Sequence, residues 1–265
     1  MDGMDVRRGV WTLDGGLGTL LEARGHDLSD ALWSARLLLE EPQAILAAHR
    51  EFFAAGAQIA ITSSYQVGFD AFERVGIAPP ETERLLRSSV ELARTARDTR
   101  SESDPDGPLL VAASVGPYGA TLGDGSEYEG ASGLSRTELR QWHERRLAVL
   151  VDAAPDLLAL ETIPTLDEAT ALADLVRGSG VPAWLSFTVE GGRLRSGEPM
   201  AEGFRLVERI DEFRAVGVNC SHPDEVLPGH RRCAVRDGQG GGGLPELRRA
   251  VGCRRPLLAR SRRGR

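Results

Sequence analysis

Val10-Trp11-Thr12-Leu13-Asp14-Gly15-Gly16-Leu17-Gly18 runs from a short apolar stretch into a carboxylate and a glycine turn, and its spacing decides between two parallel-sheet folds. A dinucleotide-binding sheet wants Gly-x-Gly-x-x-Gly directly after its first strand, where the backbone must approach a pyrophosphate. Here the glycines fall at other intervals and an aspartate stands at the mouth of the turn. A (β/α)8 barrel instead carries polar functional residues at the C-terminal ends of several strands. The remaining strand ends show that arrangement, so the barrel is the expected fold.

Working outward, short apolar runs at 10–13, 58–63, 109–114, 157–160, 183–188 and 215–218 read as strands. Amphipathic runs at 42–55, 81–97, 135–153, 166–177 and 200–209 read as helices, the first opened by Pro42 and closed by Gly56. Strands separated by helices rather than by hairpin turns imply βα units and a parallel sheet. The strands end on Asp14, on residues 62–66, on Gly116 and Tyr118, on Glu161 and Thr162, on Thr188, and on Asn219 and Cys220. About six of the eight units of a barrel fit in the first 228 residues, so the barrel is expected to be unclosed.

Composition divides the chain at that point. Residues 229–265 hold 11 Arg against only Asp237 and Glu246, with four consecutive glycines at 240–243 and no strand-like run. The first 228 residues hold 21 basic against 37 acidic side chains, which argues against a nucleic-acid surface there. The expected organisation is therefore a barrel over 1–228 and a separate, disordered tail over 229–265. With 265 residues and 41% hydrophobic side chains the chain can bury one large core. It has no run of 18 apolar residues and no apolar leader, so a cytoplasmic protein without a membrane partner is expected. Cys220, Cys233 and Cys253 are too few and too scattered for a disulfide framework.

Asp14 and Glu161 are the most suggestive carboxylates. Each ends an apolar strand, where both could face one mouth and bind an ammonium group or manage a proton. The plainer readings are a turn cap for Asp14 and a loop acid for Glu161. Cys220 follows Gly217-Val218-Asn219 at a strand end, where a lone cysteine is commonly a small core residue. The histidines show no metal-ligand spacing. Tyr65, Tyr118 and Tyr128 are loop aromatics that either line a pocket or cover the core rim.

Taken together, these segments resemble the homocysteine S-methyltransferase family. The resemblance rests on 13–19 with Leu21-Glu22, Leu32-Trp33-Ser34-Ala35, the run 57–66, Ser114-Val115-Gly116-Pro117-Tyr118, the run 124–130, Glu161-Thr162-Ile163-Pro164, Ser186-Phe187-Thr188 and Gly217-Val218-Asn219-Cys220. It is nearest to members that use S-methylmethionine or S-adenosylmethionine. It implies a (β/α)8 barrel that moves a methyl group from a methylsulfonium donor to the thiolate of homocysteine, giving methionine. It also implies a zinc cofactor held by three cysteines, of which Cys220 is one, so that Cys220, Asp14 and Glu161 would form the catalytic set. Asp14 and Glu161 would grip homocysteine's amino group beside the Gly15-Gly16 turn, with Thr62 and Tyr65 completing the substrate site.

The chain departs from the family where the other two zinc ligands belong. The expected Gly-Gly-Cys-Cys pair is absent, so zinc is expected to bind weakly or not at all and the chain to be impaired. Residues 243–253, back-translated in one legal way and shifted by one base, read Ala-Tyr-Pro-Asn-Ser-Gly-Glu-Arg-Trp-Asp, which contains the family's Tyr-Pro-Asn-Ser-Gly-Glu segment. This points to a frameshift between about residues 224 and 240. The sequence leaves two other readings open. One is a barrel aldolase or lyase, which would want a substrate-binding lysine, and the chain has no lysine. The other is a non-catalytic barrel remnant with a basic binding tail.

Overall fold

The computed structural model describes residues 10–28, 33–99, 108–130 and 132–225. Five parallel strands form one sheet in the order β1 (Ile59–Ile61), β2 (Leu110–Val115), β3 (Leu157–Ile163), β4 (Ala183–Phe187), β7 (Phe213–Val218). The two short strands β5 (Val189–Glu190) and β6 (Arg193–Leu194) form an antiparallel hairpin after β4. The expected first strand survives as a single parallel bridge from Leu13 to Ile59, continued by Asp14 N–H to Ile59 O at 3.0 Å. Spatial order thus follows chain order from Leu13 to β7. A doubly wound sheet reverses direction at a switch point; this one never does. Among the described residues the sheet remains open, with the Leu13 segment at one edge and β7 at the other. Five strands and the Leu13 bridge in an open sheet are consistent with the partial, unclosed barrel expected from the sequence.

The helices are α1 (Leu17–Ala23), α2 (Trp33–Glu40), α3 (Pro42–Ala54), α4 (Phe69–Arg74), α5 (Pro79–Asp98), α6 (Arg136–Asp152), α7 (Leu166–Val176) and α8 (Met200–Leu206). Local chemistry starts the long ones. Pro42 and Pro79 open α3 and α5 with their fixed φ, and Ser135 and Glu138 form a reciprocal capping box on α6. Thr165 caps α7 by accepting from Glu168 N–H at 3.1 Å. Sequence periodicity missed α1, α2, α4 and the hairpin, all shorter than the stretch over which a repeat becomes distinct.

Strand parity sorts the core into two faces. Val111, Ala113, Leu158 and Leu160 pack against the helices, while Leu110, Ala112, Leu157, Ala159 and Trp184 cluster with Leu13 and Ile59 on the opposite face. Continuing the two-residue period along β2 and β3 puts Ser114 and Glu161 on that inner face. No described helix is long and apolar enough to cross a membrane. Residues 229–265, with Cys233 and Cys253, lie outside the described residues.

His49 on α3 is fully buried, and neither ring nitrogen has a partner among the described residues. Burial depresses its pKa to about 4, so the imidazole stays neutral in the fold. As pH falls from 6.5 towards 4 the unfolded chain takes up the proton first, and the fold loses up to about 3 kcal/mol over that window. His49→Leu is expected to lose this component. Urea midpoints of both proteins at pH 7 and pH 4.5 test it, and parallel pH dependences would refute the assignment.

Candidate active site

The C-terminal ends of the strands gather carboxylates around one mouth. Glu161 lies at a β-bulge, where the β3–β4 register shifts between Leu160 and Ile163. The bulge includes Thr162, a β-branched residue held at φ 62°. Asn219 clamps it from the end of β7, accepting from Thr162 N–H at 2.8 Å and donating to its hydroxyl at 2.9 Å. Backbone strain of this kind persists only where surrounding bonds over-determine it. The clamp turns Glu161 to the inner face, where Ser114 Oγ donates to its Oε1 at 2.5 Å. Burial raises Glu161 to about 7, against the Ser114 hydrogen bond and the Arg146 charge, which pull it down.

Asp14 faces the same space. Its Oδ2 accepts from Ile61 N–H at 2.8 Å, which ties the chain's first turn to the end of β1. Burial holds its pKa well above the ordinary carboxylate range, and the Glu161 charge pushes it further up. Desolvation lifts both carboxylates, and the Glu161 charge lifts Asp14 further, so a cation placed beside them would favour the ionised form of each.

The other expected site residues divide. Tyr65 lies at the same strand ends, its buried hydroxyl near Thr162 but without a well-aligned hydrogen bond among the described residues. Burial raises its pKa, with Tyr128, Glu161 and Glu127 adding to the effect. Thr62 is spent on structure: its buried hydroxyl accepts from Ser114 N–H at 3.0 Å and shares a bond with Ser64 Oγ at 2.7 Å. It braces β1 against β2 and so sets the height of Ser114. Gly15 and Gly16 are exposed at the start of α1, and a Cβ on Gly15 would meet Phe52 at 2.9 Å.

Cys220 ends β7 at φ 46°, exposed as a residue, with Asn219 Nδ2 at 3.7 Å from its sulfur. Partial burial of the sulfur raises the thiol pKa; the Thr162 and Tyr128 hydroxyls counter this, and Glu161 adds to it. Its immediate partners are thus hydroxyls and an amide. Among the described residues no group of three His, Cys, Asp or Glu side chains is placed to hold a metal. The zinc cofactor, Cys220 as its ligand and the zinc-activated thiolate expected from the resemblance are corrected accordingly. A single thiol without further thiolate or imidazole partners is not a zinc donor set.

Sequence reading assigned no role to two residues that shape the mouth. Arg146, fully buried on α6, donates to the carbonyls of Gly116, Ser64 and Tyr65 at 2.7, 2.8 and 2.7 Å. Glu127, in the 3-10 turn Ser126–Tyr128, acts electrostatically on Tyr65, Tyr128 and Cys220. A cleft of about 230 Å³ between α4 and α6, lined by Asp70, Trp142 and Arg145, lies on the outer helical side. Trp142 Nε1 there donates to Asp70 at 2.9 Å, and Arg145 is held by Glu83 at 2.8 Å.

A parallel sheet in sequential order with acidic side chains at its strand ends defines an α/β protein whose strand order is that of a partial barrel. Comparison with known proteins makes the class specific. The homocysteine S-methyltransferase profile matches residues 11–242, and the chain belongs to that family. It is 46% identical over 226 residues to homocysteine S-methyltransferase 4 of Zea mays, covering 81% of this chain and 66% of that protein. It is 42% identical over 222 residues to homocysteine S-methyltransferase YbgG of Bacillus subtilis, covering 82% and 70%. The metallated form of the homocysteine methyltransferase MmuM from Escherichia coli superposes with a TM-score of 0.80 at 39% identity, covering 85% of this chain and 80% of that one. The chain spans about two-thirds of the length of the curated relatives it matches.

Proposed function

We propose that the chain transfers a methyl group from a methylsulfonium donor, S-methylmethionine or S-adenosylmethionine, to the sulfur of homocysteine, giving methionine. The observation that carries this reading is the Asp14–Glu161 pair. Two carboxylates face one mouth, both raised by burial, in a chain of the homocysteine S-methyltransferase family. Homocysteine's ammonium is the cation they receive, and the amino acid held there extends its sulfur towards Tyr65, Tyr128 and Cys220. In the transfer the homocysteine sulfur attacks the methyl carbon in line and the donor's sulfonium C–S bond breaks. Its electron pair stays on the departing thioether, and the thiol proton is lost to water. Holding the two sulfurs on either side of one methyl group supplies much of the rate, because a bimolecular encounter becomes an oriented one.

Incubation of the full chain with homocysteine and each donor, with methionine measured by mass spectrometry, is expected to give product above a protein-free control, but slowly, because the chain lacks the Gly-Gly-Cys-Cys pair. No product from either donor at micromolar protein would overturn the proposal. On the same reading residues 1–228 are the first six or so units of an eight-unit barrel, and the reading frame shifts between about residues 224 and 240. Resequencing across that region tests the shift. Recovery of Tyr-Pro-Asn-Ser-Gly-Glu and Gly-Gly-Cys-Cys in the adjacent frame is the expected result, and their absence from every frame rejects it.

A further inference from the structure

The segment Asp124-Gly125-Ser126-Glu127-Tyr128-Glu129-Gly130 reaches the mouth after β2 and is wedged there by two close backbone approaches. A Cβ on Gly119 would lie 2.6 Å from Glu127 N, and a Cβ on Gly130 would lie 2.3 Å from the Arg195 carbonyl carbon. Only glycine at both positions lets the turn sit between residues 118–121 and the β5–β6 hairpin. Asp124 tightens it from within by accepting Ser126 N–H at 3.0 Å. So pinned, the backbone of Glu127 is held at the mouth. Its Oε2 is buried and accepts no hydrogen bond among the described residues, and burial raises its pKa. Arg195 interacts with Tyr128 from the hairpin side. Its Nη1 holds Glu190 at 2.9 Å, but its buried Nε has no partner among the described residues. An acceptor and a donor, each buried and unmet, therefore flank Tyr128. Such groups carry a desolvation cost that a ligand can relieve.

We propose that Glu127 and Arg195 form the subsite for the donor's amino-acid end, Glu127 receiving its α-ammonium and Arg195 its carboxylate. The inference rests on the methyl-transfer reading and names the group that selects the donor. Each substrate of that reaction brings an ammonium, and the Asp14–Glu161 pair accounts for one. The second needs its own carboxylate, and Glu127 is the remaining acid shown to act on Tyr65 and Cys220. The donor's ammonium takes no part in bond making, so this contact contributes equally to ground and transition states. Its loss raises the donor's KM and leaves kcat nearly unchanged.

Calorimetric titration of the full chain, native and Glu127→Gln, with S-methylmethionine and separately with homocysteine tests the assignment. Donor Kd is expected to weaken by at least about 10-fold while homocysteine Kd stays within about twofold, as for loss of one buried charge contact. Arg195→Gln is expected to show the same selective loss, and it decides the matter if Glu127→Gln does not fold. Trimethylsulfonium, which has no amino-acid end, is expected to bind native and variant proteins alike. Unchanged donor binding, or equal weakening of both substrates, overturns the inference. So does a native chain that binds homocysteine and not S-methylmethionine. A native chain that binds neither overturns the methyl-transfer reading itself.

Discussion

Replacing Glu161 by glutamine is expected to stabilise the protein while removing most of its affinity for homocysteine. The two effects have one origin. Burial raises the Glu161 pKa from 4.5 to about 7, so the unfolded chain ionises at lower pH than the fold does. The favourable contribution of the protonated carboxyl is complete below pH 4.5 and is lost as pH rises through 7. At pH 8 the free protein therefore bears a penalty of up to about 3 kcal/mol, lessened by the carboxylate's partial contact with solvent. Glutamine carries no charge to desolvate and can still accept from Ser114, so Glu161→Gln is expected to unfold at higher urea than the native protein at pH 8. At pH 4.5 the two midpoints should converge. Binding goes the other way. An ammonium left without one of its buried carboxylates costs about 2–5 kcal/mol, a loss of roughly 30-fold or more in kcat/KM for homocysteine. The native affinity is expected to rise through pH 7 as Glu161 ionises, and the variant's profile to be flatter there. A variant that is destabilised at pH 8, or one that binds homocysteine normally, would show that Glu161 is a structural acid.

The parts of this architecture legible in the sequence are those set by local patterns. Five of six expected strands and all five expected helices recur with ends displaced by a few residues, because each is an apolar run or an amphipathic repeat bounded by Pro, Gly or a capping residue. The first strand is reduced to the Leu13 bridge, since 10–13 has a partner on only one side among the described strands. The place of Asp14 and Glu161 at strand ends is legible because a charge that ends an apolar run is a local signal. Thr62 was misleading for the same reason. Its position at a strand end matches that of a ligand-binding residue, and only the three-dimensional pairing with Ser114 and Ser64 shows the hydroxyl to be occupied. Arg146 and Glu127 were not legible. Arg146 sits in the run Glu144-Arg145-Arg146, where nothing distinguishes an exposed arginine from a buried one. Their partners lie in other parts of the chain, and no spacing rule links positions some 80 residues apart.

Arg146→Met is the expected largest loss of stability. The guanidinium is buried on α6 and its three hydrogen bonds end on carbonyls in two different loops, Ser64 and Tyr65 after β1 and Gly116 after β2. Those loops meet so closely that a Cβ on Gly116 would lie 2.5 Å from Tyr65 O, a crowd of carbonyl oxygens that repel one another unless a cation lies among them. Burial lowers the Arg146 pKa to about 10, which still leaves it charged at neutral pH. Methionine fills similar volume but donates nothing, so three buried carbonyls lose their partner at once. Removing one side of a buried charged contact costs about 3–5 kcal/mol, a large share of the stability of an ordinary domain. The urea midpoint is expected to fall by that equivalent with little change in slope, and Arg146→Lys to lie between, because one ammonium cannot span both loops. The effect reaches the mouth as well. The Arg146 charge holds the Glu161 pKa down, so removing it raises that pKa further and shifts homocysteine binding to higher pH. A methionine variant within about 1 kcal/mol of the native protein would mean that the loops hold their carbonyls apart without the arginine. A fall in stability with no alkaline shift in binding would place Arg146 in the scaffold alone.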